Sequence, residues 1–543
     1  MKGEIYNMNL KEKYKKSSTY YLTIAISILI LIWGVFFTES FKSFFDAGFT
    51  LITEELSPYF MILMLVFTGV CGYLYFSKYK NIKLGADDSK PEFSKLTWFA
   101  MLFGAGLGIG LVFYGVSEPL AHYLNPVGVE AQTTDAIKFA FSKSFLHNGI
   151  TAWTVYASLA LIVGYFHFRK GKKILLSAML EPVIGEKHSK GLVGKVIDIL
   201  TIFVTIVGIV TSLGMGTLQI NSGLNYLFGV PENGIVRIII ISIVTVLFLI
   251  SATTGVKKGI KILSNLNLGL AVALFIGVLA IVSKSDLIQN AMLGFMGYGK
   301  AMIVDNLNIF ANGEWYSNWT IFFWAWWIAW APFVAIFIAR VSKGRTIKEF
   351  ITGVVLVPAT ACILWFLVFG TLAISASPEI QVVAGAAIET SLFVVLSEYG
   401  TIGFILSIVA LCLLFTFFIT SADSATYVLA VIASDGDLDA KNSRKIVIGV
   451  LQALLTIAFL AAGGIYMVQT ATVVMALPFS LVILGIIRSF FKVIKTEQFE
   501  KEVKVKNAKT YSHVEEIYEK YGLIFPKEIK TVIIDKEKST RVS

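Results

Sequence analysis

The chain has 543 residues, of which 56% are hydrophobic and only 15% charged, and its mean hydropathy is +0.75. Water-soluble domains carry about 25% charged residues, so a soluble fold is excluded and membrane lipid is the partner that the surface requires. The net charge of +10 does not point to nucleic acid, because the positive residues sit in alternate loops between apolar runs.

A membrane-crossing helix needs about 20 mostly apolar residues. Runs of that size predict an all-α polytopic membrane protein with about twelve transmembrane helices. They lie at about 20–38, 59–76, 97–117, 138–167, 195–226, 234–253, 261–283, 317–341, 347–375, 400–432, 443–463 and 467–490. Between the seventh and eighth spans, Met292–Met302 and Ile303–Phe310 read as short interfacial helices. Lysines and arginines mark the even-numbered loops, as in Lys78–Lys95, Arg169–Lys173 and Arg340–Lys348. The odd-numbered loops carry acids such as Glu54, Glu55, Glu232 and Glu398. Positive loops stay cytoplasmic. The reading is therefore a cytoplasmic tail over 1–18, a transmembrane domain over 19–490 and a cytoplasmic tail over 491–543, in the cell membrane.

Three stretches depart from plain apolar helix. Four glycines fall between Gly104 and Gly110, each costing a helix about 1 kcal/mol relative to alanine. Two uses fit them: close helix packing, or an unwound segment whose backbone binds an ion or a carboxylate. The second stretch is Trp324-Ala325-Trp326-Trp327-Ile328-Ala329-Trp330-Ala331-Pro332. Its tryptophans sit mid-span, where an interfacial belt does not explain them. Indole faces attract cations by about 2 kcal/mol or more in a dry site, so the run reads as an aromatic cage for a quaternary ammonium group. Trp326 and Trp330, four apart, share a helix face, with Trp327 beside them. The two stretches open corresponding five-helix blocks, and interrupted helices at such places point to a transporter's binding site. The third stretch is Thr420-Ser421-Ala422-Asp423, whose hydroxyls suit a hard cation and whose acid, placed inside the membrane, reads as functional.

Other signals are weaker. Gly294–Lys300 imitates a phosphate loop, but Ala301 stands where a hydroxyl must hold Mg²⁺. The five histidines show no zinc spacing, and histidine or glutamate in mid-membrane is nearly absent, which speaks against an enzyme. Cys71, Cys362 and Cys412 read as buried apolar filler.

The run Asn318–Trp327, the segment Gly106–Gly110 with Tyr114-Gly115-Val116-Ser117-Glu118-Pro119, the segment Gly255–Gly259 and Thr420–Ser424 together resemble the betaine/carnitine/choline family of transporters over about residues 15–490. The resemblance implies a LeuT-like fold of two inverted five-helix repeats, at about 97–283 and 317–490, working by alternating access and often as a homotrimer. It implies a quaternary-ammonium substrate held by Trp326, Trp327, Trp330, Trp153 and Tyr156, with Gly106 and Asn148 lining the same site. It implies a sodium site from the backbone of Gly104 and Leu107 and the hydroxyls of Thr420 and Ser421, with no other metal or cofactor. Two positions depart from the family pattern: Asn148 stands where a further tryptophan is usual, and Ile209 where sodium-coupled members carry a second threonine after Thr205. The expected function is secondary active import of an osmolyte such as glycine betaine, coupled to sodium. A sodium-independent carnitine/betaine exchanger or a proton-coupled choline carrier is the alternative. A channel or a membrane enzyme is the reading from another class.

Overall fold

The computed structural model describes residues 17–502 except 107 and 255–256, and side chains of these apart from 103–106, 257–261 and 499–502. Of the expected tails over 1–18 and 491–543, residues 1–16 and 503–543 lie outside the described residues.

The described chain is helical, with one isolated bridge, Lys83 to Thr346, and no strand. Ten helical stretches are long and apolar enough to cross a membrane. Helix α1 (Ser18–Phe36) starts at Ser17, whose hydroxyl accepts from Tyr20 N and donates to Ala433 O at 2.8 Å. Helix α2 (Thr38–Thr50) follows at once and buries Phe41 and Phe45, and α3 (Ser57–Phe76) carries a proline in its first turn. The third predicted span is broken: α4 (Lys95–Gly106) ends inside the glycine run and α5 (Ile109–Leu124) begins after Gly108, which is extended.

The fourth predicted span is also two helices, α6 (Thr134–Asn148) and α7 (Ile150–Gly164), where one was expected. The break falls at Gly149 because no side chain fits there. A Cβ would overlap Phe145 O and lie 2.6 Å from the Tyr298 hydroxyl, which accepts from Ile150 N at 3.0 Å. A short helix, α8 (Leu176–Ile184), leads to α9 (Leu192–Phe228), whose 37 residues run about 55 Å and stop at a left-handed Gly229. Then come α10 (Gly234–Thr254) and α11 (Lys257–Ile281).

The expected pair of short interfacial helices is instead one 24-residue helix, α12 (Lys284–Leu307). Its glycines serve packing: a Cβ on Gly294 would come 2.8 Å from Phe141 Cβ, and one on Gly297 2.8 Å from Ser142 Cβ, both on α6. Helix α13 (Phe322–Val341) carries the tryptophans and passes through Pro332 without a break, so the interruption expected there does not occur. Helices α14 (Val357–Ile374) and α15 (Gly400–Ala433) follow. The last, α16 (Asn442–Glu502), bends at Gly463 and Gly464, between the eleventh and twelfth predicted spans, and continues past position 490. Its Glu497 accepts from Arg169 and Tyr165.

Burial separates the helices into a centre and a periphery. The apolar stretches containing α6–α7, α9 and α13 are mostly buried, while those of α1, α10 and α11 expose most of theirs. Leu29, Ile235 and Val246 on the outer helices are more than half exposed, as lipid contact demands. Cys71 and Cys362 are buried as expected, but Cys412 is exposed on the outward face of α15.

Candidate functional site

Successive residues of α13 point about 100° apart, so its four tryptophans reach different helices. Trp324 is fully buried. Trp326, Trp327 and Trp330 are half-buried, and each packs on a different partner. Trp326 turns to α5, where it lies over Gly110, and its ring centroid is 5.7 Å from Tyr114. A side chain at 110 would occupy the indole's place, so the end of the glycine run is a seat for Trp326. Trp330 turns to α9, and its Nε1 donates to Gly208 O at 2.8 Å.

Trp327 turns to α7. Trp153 and Tyr156, three residues apart, share a face of that helix, and the three rings form a closed set. Centroid separations are 5.5 Å for Trp153–Tyr156, 5.6 Å for Trp153–Trp327 and 4.8 Å for Tyr156–Trp327, all steeply inclined. The Trp327 indole is fixed by a hydrogen bond from Nε1 to His147 O at 2.9 Å. That carbonyl is available because α6 ends at Asn148, and the last carbonyls of a helix lack intrahelical donors. The break at Gly149 therefore orients the cage. The three rings pack on one another at steep angles, and the chemistry of their π faces and edges suits a cation without hydrogen-bond donors.

Asn148 is turned elsewhere. Its Nδ2 donates to Glu118 Oε2 and to Ser144 O, both at 3.0 Å. Glu118 also meets His147 Nδ1 at 2.8 Å, and His147 Nε2 lies 3.0 Å from Thr320 Oγ1. With His122 these form a fully buried polar group. The expectation of scattered histidines and almost no buried acid is corrected here. Glu118 and His122 lie one turn apart on α5, and α5 and α6 pack side by side to bring His147 and Asn148 to them. The signal within the chain was Glu118 in the Tyr114–Pro119 motif.

Of the residues expected to hold an ion, Leu107 and the surroundings of Gly104 lie outside the described residues, as do the surroundings of Gly106, expected at the substrate site; both glycines belong to the last turn of α4. Thr420 Oγ1 donates to Thr416 O at 3.0 Å and accepts from Asn267 Nδ2 at 2.8 Å. Asn267 is a neighbour that the sequence did not suggest. Ser421 is half-buried. Asp423 accepts from Ser251 Oγ at 2.6 Å. Thr205 donates back to Thr201 O at 2.6 Å within α9, and Ile209 is buried apolar.

Comparison with known proteins places these features in a family. Residues 18–499 match the model for the BCCT, betaine/carnitine/choline family transporters. The chain is 44% identical over 492 residues to the glycine betaine transporter OpuD of Bacillus subtilis, covering 89% of this chain and 95% of that protein. It is 36% identical over 483 residues to the ectoine/hydroxyectoine transporter of Virgibacillus pantothenticus, covering 88% and 96%. It is 36% identical over 508 residues to the high-affinity choline transport protein of Escherichia coli, covering 91% and 74%. This chain, a multi-pass membrane protein and a transporter rather than an enzyme, belongs to the betaine/carnitine/choline family.

Proposed function

We propose that the protein is a secondary active transporter that imports a quaternary-ammonium osmolyte such as glycine betaine, coupled to sodium. The observation that carries this reading is the inclined three-ring box of Trp153, Tyr156 and Trp327, with Trp327 held by His147 O. A trimethylammonium group has no N–H to donate, so a site for it needs π faces rather than acceptors. Glu118, the nearest buried carboxylate on α5, is engaged by Asn148 and His147, which favours a zwitterion that brings its own negative charge over bare choline. The glycine betaine relative supports the same choice.

The sodium would bind between the end of α4 and α15, using backbone carbonyls of Gly104 and Leu107 and the hydroxyls of Thr420 and Ser421. Thr420 Oγ1 already donates one hydrogen bond and accepts another, which leaves one lone pair for an ion. The same reading takes the chain as twelve spans in two inverted repeats, both termini cytoplasmic, in the cell membrane and as a homotrimer. The test is uptake of labelled glycine betaine, carnitine, choline and γ-butyrobetaine into proteoliposomes with and without a sodium gradient. Concentrative glycine betaine uptake that requires sodium, with a raised sodium requirement in Thr420→Ala, Ser421→Ala, supports the reading. Uptake indifferent to sodium in both proteins overturns the coupling and leaves an exchanger or proton-coupled carrier.

A further inference from the structure

We infer that Glu118, His122 and His147, whose last member also holds Trp327 through its carbonyl, form a binding site for a divalent transition ion of the zinc type, separate from the sodium site. All three side chains are fully buried, and one ligand atom from each lies within 4.8 Å of the others. They come from two helices, Glu118 and His122 one turn apart on α5, and His147 at the end of α6.

Two of the three ligand separations lie close to those of a bound ion. Ligand atoms about 2.0 Å from a tetrahedral zinc are roughly 3.3 Å from one another. His122 Nε2 is 3.4 Å from Glu118 Oε1, already at that spacing. His147 Nδ1 is 2.8 Å from the same oxygen and needs to open by only about 0.5 Å to reach it. Among the described residues, His122 has no hydrogen-bond partner at either ring nitrogen, although buried imidazoles ordinarily have one. Its neighbours Trp315 and Trp319, with ring centroids at 4.9 Å and 4.6 Å, offer faces and edges rather than acceptors. An unpaired imidazole nitrogen 3.4 Å from a buried carboxylate oxygen is what an ion would satisfy.

The surrounding contacts complete the pattern. Metal-bound histidines and carboxylates are normally held from behind by a second hydrogen bond. His147 has Thr320 on its far nitrogen, and Glu118 has Asn148 on its other oxygen. Two imidazoles and one carboxylate select zinc and similar borderline ions over magnesium or calcium, which prefer all-oxygen sites. An ion here would tie α5 to α6 directly above the carbonyl that holds Trp327.

The test uses the full-length protein in detergent, without a histidine tag, stripped of metal by a chelator and titrated with Co²⁺ as a spectroscopic substitute for Zn²⁺. The expected result is one equivalent of Co²⁺ with the intense visible absorption of a four-coordinate site, displaced by Zn²⁺. His122→Phe should bind at least about 100-fold more weakly, since losing even a supporting contact costs 10–100-fold. X-ray absorption on the zinc-loaded wild type, which needs no variant, should show two imidazoles and oxygen at about 2.0 Å. Wild-type Co²⁺ uptake no greater than that of His122→Phe overturns the assignment, as does a zinc shell lacking two imidazoles.

Discussion

The glycine run before α5 and the tryptophan run of α13 both contain residues that oppose a helix, yet only the first breaks. Four glycines cost a helix about 4 kcal/mol in total relative to alanine, and one interior proline costs about 3 kcal/mol. The penalties are similar, so the outcome is decided by what the side chains hold. Between Gly104 and Gly110 every second residue lacks a side chain, and the chain turns extended at Gly108. Around Pro332 the tryptophans are anchored on separate helices, Trp327 to α6 and α7, Trp330 to α9 and Trp326 to α5. Two indole hydrogen bonds at about 1 kcal/mol each, with the packing of four large rings, offset the missing proline donor. A breaker residue therefore predicts a break only where the flanking side chains are too small to hold the helix in place.

The contrast can be tested from both sides. The largest effect is expected from Gly110→Val. A branched side chain there overlaps the Trp326 ring, and overpacking of this kind costs about 3 kcal/mol. Thermal unfolding in detergent should fall by several degrees, and uptake should be lost; unchanged stability would mean that Trp326 does not rest on Gly110. Next is Trp327→Ala, which removes one wall of the box and should weaken glycine betaine binding by about 2 kcal/mol, roughly 30-fold. Trp327→Phe should retain part of the affinity, as equilibrium binding will show. The smallest effect on binding is expected from Pro332→Ala. The helix is already continuous there, so relieving the proline penalty while the tryptophan contacts stay should raise stability, by no more than about 3 kcal/mol, and leave binding within twofold. A large change in transport would show that Pro332 serves a hinge.

Much of this arrangement was legible in the sequence because lipid imposes strict rules. Apolar runs of span length marked the helices, and the tryptophan run marked the helix whose indoles reach α5, α7 and α9. The helix break within the glycine run and the bend at Gly463–Gly464 fall where small residues cluster. What escaped the reading depends on neighbours. Helix α12 is diluted by Lys284, Asp286, Asn290, Lys300 and Asp305, and it is defined by two glycines pressed against α6. Gly149 is a single glycine in an apolar stretch, and only Phe145 O and Tyr298 make it obligatory. The orientation of Asn148 was hidden for the same reason. Its partner Glu118 is 30 residues away, and nothing local tells an amide facing a pocket from one tied to a carboxylate.

The most direct test of the central claim separates charge from shape. Glycine betaine and its isostere 3,3-dimethylbutanoate, in which carbon replaces the quaternary nitrogen, have the same carboxylate and nearly the same volume. Their equilibrium binding to the purified protein should be compared in wild type and in Trp327→Leu. An aromatic box that recognises the cation predicts that wild type prefers glycine betaine by at least about 30-fold, the equivalent of one desolvated cation–π contact. It also predicts that Trp327→Leu loses most of that preference while binding the isostere as before. Equal affinity for the two compounds in wild type would contradict the account, because the rings would then be packing against shape alone.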